Sequence, residues 1–573
     1  MRMAGCSSGA VGNVGNVGRL GVLMFLVVAA ASAGCNGGGD LGAMSGRQLI
    51  QGRDVNDLFF WQSRTLAFTR DTSDPSQPEP QDFLVWPLDE PSPSTALAGI
   101  DWGYPQSWPV WFSGDLLMTG LAFERVYSIE TRQSANMLTD FPAPVGGEPA
   151  DPGYRELLAS VALRSDGHAL AKLRRGTPET IVVGRPPDLR VFSLPADVSV
   201  GGMTFVGVDL ALLIRQTATA TVGISRLDTA SGALTPLVPD TAANEWTGIT
   251  GFCEDAMPPA NCGFLGTIGC ALDEPSCPDG RAPPCMLLYA KADPEREMKI
   301  AAYVQDAHDA TTGVSTRLAG DDISQFFSNR EGHVLVWGSM STNVTHYWSF
   351  CGDTAGECPV APGRLSTWRP DGGAFAMYGV GDVMNIVDIA NNACFHPDAS
   401  KTTGMYQVQW SPAGDRLMWV AANDDDGTSE TLWLGDRDAG SPVALSGGPS
   451  LAGTFSGDGQ FIYVSHEGES TASLGWIDLT ASPPAEHVLS SNRGPIGMLG
   501  NRRALFVDHY NAQDDNGELV LVDMATGERQ SLARAVTGVT ASGSEDAGVD
   551  VAYTVRGRAA ASRDGLWLTT LPP

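Results

Sequence analysis

Ten cysteines, eight histidines and a scatter of serines and aspartates are the residues of this 573-residue chain whose types could do chemistry. Five cysteines, Cys253, Cys262, Cys270, Cys277 and Cys285, share one proline-rich segment, and Cys351, Cys358 and Cys394 follow. A structural zinc site needs close pairs such as C-x-x-C, so that one turn supplies two thiolates, and no such pair occurs. Spacings of nine, eight, seven and eight residues, stiffened by Pro258, Pro259, Pro275, Pro278, Pro283 and Pro284, fit disulfides instead. The eight cysteines can close four bridges in an oxidising compartment. Connectivity stays open, although Cys351 and Cys358 are near enough in sequence to close a small loop together.

Histidine chemistry has no local motif. His168, His308, His333, His346, His396, His466, His487 and His509 are scattered, with no H-E-x-x-H or His-x-His pair to set two imidazoles on one face. Only strands brought together from distant parts of the chain could make them converge. Nucleophilic chemistry fares no better, because the Gly-x-Ser-x-Gly elbow is absent. Ser411 and Ser456 sit in repeated turns, where a hydroxyl bonds the turn backbone. The acidic run from Asn423 to Glu430 lacks the alternating ligands of a calcium loop and reads as a hairpin, as does Asp514-Asp515-Asn516-Gly517. No metal, no cofactor and no catalytic residue is expected.

Charge excludes a further class. With 36 basic and 66 acidic residues the net charge is −30, and only Lys172, Lys291, Lys299 and Lys401 are lysines. Nucleic acid is bound through clustered Lys and Arg, and no basic run exists. A hydrophobic share of 43 % still promises a folded body.

Residues 1–34 read as a signal peptide: Arg2 and Arg19 precede an apolar run from Leu20 to Ala31, too short to span a bilayer stably, and small residues follow. Two cleavage signals overlap there. Ala31-Ser32-Ala33 suits ordinary signal peptidase, whereas Ser32-Ala33-Gly34-Cys35 resembles the bacterial lipobox, with Ser32 where that family usually carries an aliphatic residue. The lipobox resemblance implies that Cys35 is acylated and anchors the chain to a membrane. Residues 35–56, opening on Asn36-Gly37-Gly38-Gly39-Asp40, then form a flexible tether. The expected location is the bacterial cell envelope, outer membrane before inner, with a periplasmic or secreted soluble protein as the alternative.

Positioning falls to a repeat over residues 57–573. An aromatic or apolar residue, a polar turn ending in Gly and a short apolar strand recur at Leu163 to Asp166-Gly167, after Phe326-Phe327 at Gly332, at Trp368 to Asp371-Gly372, at Trp410 to Gly414, and at Phe455 to Asp458-Gly459. The last four glycines are 40, 42 and 45 residues apart, the length of a four-stranded propeller blade. In these turns Pro presets φ, Asp bonds its own backbone and Gly supplies positive φ. Second strands such as Leu474–Leu479 and Leu519–Asp523 run toward an Asp, and no sustained helical period appears outside the leader.

Trp410-Ser411-Pro412-Ala413-Gly414 resembles the aromatic-Ser-Pro-Asp-Gly turn of TolB-type β-propellers, with Ala413 in place of Asp. The resemblance implies an all-β ring of four-stranded blades that serves as a binding platform, and it brings no ligand with it. Up to ten or eleven units can be counted. A seven- or eight-bladed ring with a disulfide-rich insertion at 250–286 is expected first, and two smaller rings second. Function is read accordingly as an envelope-anchored, non-catalytic binding or scaffold module for a protein, peptide or glycan. The alternative is a propeller enzyme, such as a polysaccharide lyase holding a metal on convergent histidines.

Overall fold

The computed structural model describes residues 46–573 apart from single positions and connecting segments, among them 102–110, 142–160, 243–264, 269–285, 307–315 and 398–406. Every regular element in the described residues is a β-strand. Nine sheets hold four strands each in consecutive order, the meander of a propeller blade. We number these blades one to nine: Val55–Asp101, Trp111–Asn136, Val161–Ser193, Val198–Ala242, Leu265–Arg317, Ile323–Cys358, Arg364–Phe395, Gln407–Gly448 and Leu451–Ser490. The all-β propeller expected from the repeat is what forms. Blade five takes its first strand, Leu265–Ile268, from within the segment read as an insertion.

A tenth, closing sheet has seven strands. In sheet order they are Ile496–Met498, Arg503–Asn511, Asn516–Asp523, Arg529–Ser544, Gly548–Val555, Gly565–Leu571 and Arg47–Gln51. Its 16-residue strand Arg529–Ser544 pairs with Asn516–Asp523 up to Val536 and with Gly548–Val555 from Val536 onward. The change falls at Ala535, whose φ of 59° turns the chain, and at a register shift between Val536 and Gly538. The sheet is therefore two blade-sized halves sharing one strand. Nine blades plus two halves exceed the seven or eight expected of one ring.

Residues 47–51, read from sequence as tether, are thus the outermost strand of the second half, and blade one begins at Val55. Arg47-Gln48-Leu49-Ile50-Gln51 lacks the clear alternation that marks a strand; its partner, Gly565–Leu571, lies at the other end of the sequence.

The described chain divides into two compact units. Ser113–Leu116 with Met137–Pro362 form one, holding blades three to six; the other described residues hold blades one and seven to nine and the closing sheet, and blade two falls on the division. Within each unit consecutive blades pack face to face. Arg416–Ala422 shows why the strands are continuously apolar: Leu417, Trp419 and Ala421 enter the core shared with blade seven, while Met418 and Val420 enter the core shared with blade nine. Both faces are buried, so period-2 alternation disappears.

Four repeat turns have one geometry. Gly167, Gly372, Gly414 and Gly459 adopt φ of 70°, 69°, 70° and 70°, and each donates its N–H to the carbonyl three residues back, on Arg164, Arg369, Ser411 and Ser456. Side chains complete the turn. Ser411 Oγ accepts from Arg416 N at 3.1 Å and donates to Asp415, and Ser456 Oγ accepts from Phe461 N at 3.0 Å and donates to Asp458. Where arginine replaces serine, Arg164 and Arg369 donate through Nε to Asp166 and Asp371. The third strand of several sheets ends in, or for Asp228 just before, a capping aspartate: Asp228, Asp388, Asp436, Asp478 and Asp523 each accept from backbone N–H groups two to four residues on. Trp368 packs at a tilt against Phe375 with centroids 5.1 Å apart, and Trp410 is buried. Gly332 lies outside the described residues.

Candidate functional site

Most groups that could act chemically are engaged in holding the fold. Asp388, 1 % exposed, accepts from Asn391 N at 3.1 Å and Arg437 Nη2 at 2.5 Å, with Arg369 Nη1 at 3.5 Å. Burial alone would raise its pKa, but the hydrogen bonds from Asn391 and Arg437 and the Arg369 charge hold the carboxyl below the usual aspartate value. In the first unit Asp115 lies within 4.8 Å of His168 yet faces Arg185 Nη1 at 3.5 Å.

Ser446, His466 and Glu486 come together from three strands of blades eight and nine, a composition that invites a hydrolase reading. Geometry rejects it. Ser446 Oγ donates to Glu486 Oε2 at 2.8 Å, while His466 Nε2 lies 2.9 Å from Glu486 Oε1 and 3.4 Å from Ser446 Oγ. Serine and acid share one imidazole nitrogen, whereas a relay needs them on opposite ones. Nδ1 faces Gly448, where an added Cβ would stand 3.1 Å away. The His466 hydrogen bond, with that from Ser446, holds the Glu486 carboxyl below its ordinary value.

The other described histidines are dispersed. His346 stacks on Trp337 at 5.5 Å in blade six, His487 on Trp476 at 4.7 Å in blade nine, and His396 Nδ1, just past the last strand of blade seven, meets Asn385 Oδ1 at 2.9 Å. Among the described residues no group of three ligating side chains holds two imidazoles. Cys358 is disulfide-bonded to Cys394 and not to Cys351, the partner that nearness in sequence suggested, because the bond follows the fold's juxtaposition of strands and not the spacing along the chain. Cys35, Cys253, Cys262, Cys270, Cys277, Cys285 and Cys351 lie outside the described residues.

Free groups gather at a shallow recess of about 420 Å³ in the second unit, between the closing sheet and blade one. One wall is Arg47, Gln48 and Leu49; the other is Trp86, at the end of a blade-one strand, with the turn Leu88-Asp89-Glu90-Pro91. Trp86 and Leu88, 6 % and 5 % exposed, belong to the core shared by the two sheets, so packing fixes them under the recess and leaves only a thin apolar strip beside its polar lining. Trp86 Nε1 donates to the Glu90 carbonyl at 3.0 Å, tying indole to turn, and the Glu90 carboxylate pairs with Arg132. The Asp89 and Arg47 side chains are exposed and make no hydrogen bond or ion pair among the described residues. Sequence reasoning places Trp86 on a blade strand but misses the recess, because its walls come from strands that pair with different neighbours.

No family model and no curated protein matches the chain. Solved structures match weakly. The tricorn protease aligns at 11 % identity and TM-score 0.27, covering 92 % of this chain and 58 % of that one. A eukaryotic initiation factor aligns at 10 % and 0.38, over 76 % and 88 %, and TolB from Acinetobacter baumannii at 12 % and 0.22, over 54 % and 83 %. Likeness at this level carries no argument about function.

Proposed function

We propose that this chain is a non-catalytic binding or scaffold module, exported to the bacterial envelope and tethered there by a lipid on Cys35. The contrast between its polar groups supports this reading: Asp388, Glu486, Ser411 and Ser456 are saturated by internal partners, while Arg47 and Asp89 stand exposed at a recess with a rigid floor. Recognition by a protein or peptide can use such free polar groups held over a packed floor. The lyase alternative finds no pair of imidazoles in one ligating group among the described residues.

Two measurements test the reading. A photo-crosslinking residue at position 89, in the full chain expressed in the producing cell, should give one dominant adduct, and the same residue at exposed position 188 should not. Adducts of equal number and strength at both positions would defeat it. Metabolic labelling with a palmitate analogue should mark the wild type and spare Cys35→Ala; labelling of both or neither removes the anchor.

A further inference from the structure

We propose that the recess takes an extended peptide whose main chain adds to the open edge of strand Arg47–Gln51 and whose basic side chain lies along the floor toward Asp89. This rests on the binding-module reading and names its partner.

Three observations converge. First, Arg47–Gln51 ends the sheet order: Gly565–Leu571 pairs with one edge, and no described strand pairs with the other. An unpaired edge beside a recess is what strand addition uses, with main-chain hydrogen bonds giving affinity and the recess receiving alternate side chains. Second, the floor is apolar but nearly covered, since Trp86 is 6 % exposed. A sugar ring would need an open aromatic face; the thin strip left by Trp86 and Leu88 suits the aliphatic stem of Lys or Arg. Third, charge complementarity chooses the head group. Asp89 is exposed and unpaired among the described residues, the neighbouring Glu90 carboxylate being held by Arg132, and the net charge of −30 draws cations from a distance. Arg47 on the opposite wall fixes polarity, keeping the basic side chain on the Asp89 side.

The test titrates the full mature chain with fluorescein-labelled octapeptides of alternating Val and Lys, the same peptide with Glu for Lys, and the Lys peptide N-methylated at every second residue. The Lys peptide should bind at least fivefold tighter than either of the others. Asp89→Asn should weaken it at least fivefold, and Asp188→Asn, an equal charge change in blade three, should leave it within twofold. Equal binding of Lys and Glu peptides, indifference to N-methylation, or equal loss in both Asp variants would overturn the proposal, the last by showing attraction to bulk charge only. Concentration-dependent dimerisation that the Lys peptide fails to compete away would overturn it in favour of a second copy at the edge. A single crosslinked partner at position 89 together with no peptide binding would leave the module reading standing and end this one.

Discussion

Gln48 and Asp564 lie 516 residues apart in the chain, yet Gln48 Nε2 donates to the Asp564 carbonyl at 2.9 Å. Around that bond Arg47–Gln51 pairs with Gly565–Leu571, and Gly52 N donates to the same carbonyl. The N-terminal strand thereby completes a sheet built otherwise from the last strands of the chain.

Gly565 permits this closure. Its φ is +139°, and a Cβ there would stand 1.9 Å from the Ile50 carbonyl oxygen. Gly565→Ala should cost more than the ~1 kcal/mol of an ordinary Gly→Ala conflict, because backbone must also move. A lowered melting temperature with early proteolytic loss of residues 47–51 is the expected result; an unchanged melt would mean the strand contributes nothing.

Gln407 bridges the first strands of blades eight and nine, donating to Gly453 O at 2.8 Å and accepting from Gly453 N at 3.1 Å. Gln407→Ala leaves both backbone groups without their partner and should destabilise by about 1–3 kcal/mol in urea unfolding. Arg529→Ala, which removes a long 3.5 Å bond to Val488 O at the exposed rim, should fall within about 0.5 kcal/mol.

Trp419 is fully buried in the core between blades seven and eight. Trp419→Ala should cost about 3–5 kcal/mol in the same assay, and Trp419→Phe clearly less.

Acid sensitivity should have two separate origins. Burial against Trp337 pushes the His346 pKa below 6.5, so the unfolded chain takes up that proton first. Its contribution is complete above pH 6.5 and is lost as pH falls from there toward the depressed folded value. His346→Gln should flatten the melting temperature between pH 7.5 and 5.5. Asp388 and Glu486 have lowered pKa values, so their contributions hold above about pH 4.5 and fade below it. Glu486→Gln should therefore alter the profile only at the acid end.

Ser446 should be inert to serine-directed fluorophosphonate probes, because its hydroxyl donates to Glu486 and shares His466 Nε2 with that acid. Labelling of the native protein that Ser446→Ala abolishes would reopen the enzyme reading.

Much of this architecture was legible in the residues. The turn glycines and aspartates were readable because each satisfies a purely local demand: positive φ at Gly372 or Gly459, and a backbone N–H that Asp371 or Asp458 can reach two residues away. Short apolar strands at blade-length intervals followed from the same local chemistry. Strand Arg47–Gln51 carries no such mark, and no spacing along the chain sets Ser446, His466 and Glu486 together.

Local propensity determined the strands, the turns and the blade period from sequence alone. Only the tertiary structure decided which strand closes the last sheet, which carboxylates are saturated and where Arg47 and Asp89 flank one recess. Those outcomes depend on pairing between residues hundreds of positions apart, and no neighbour in sequence carries the energy of a long-range contact.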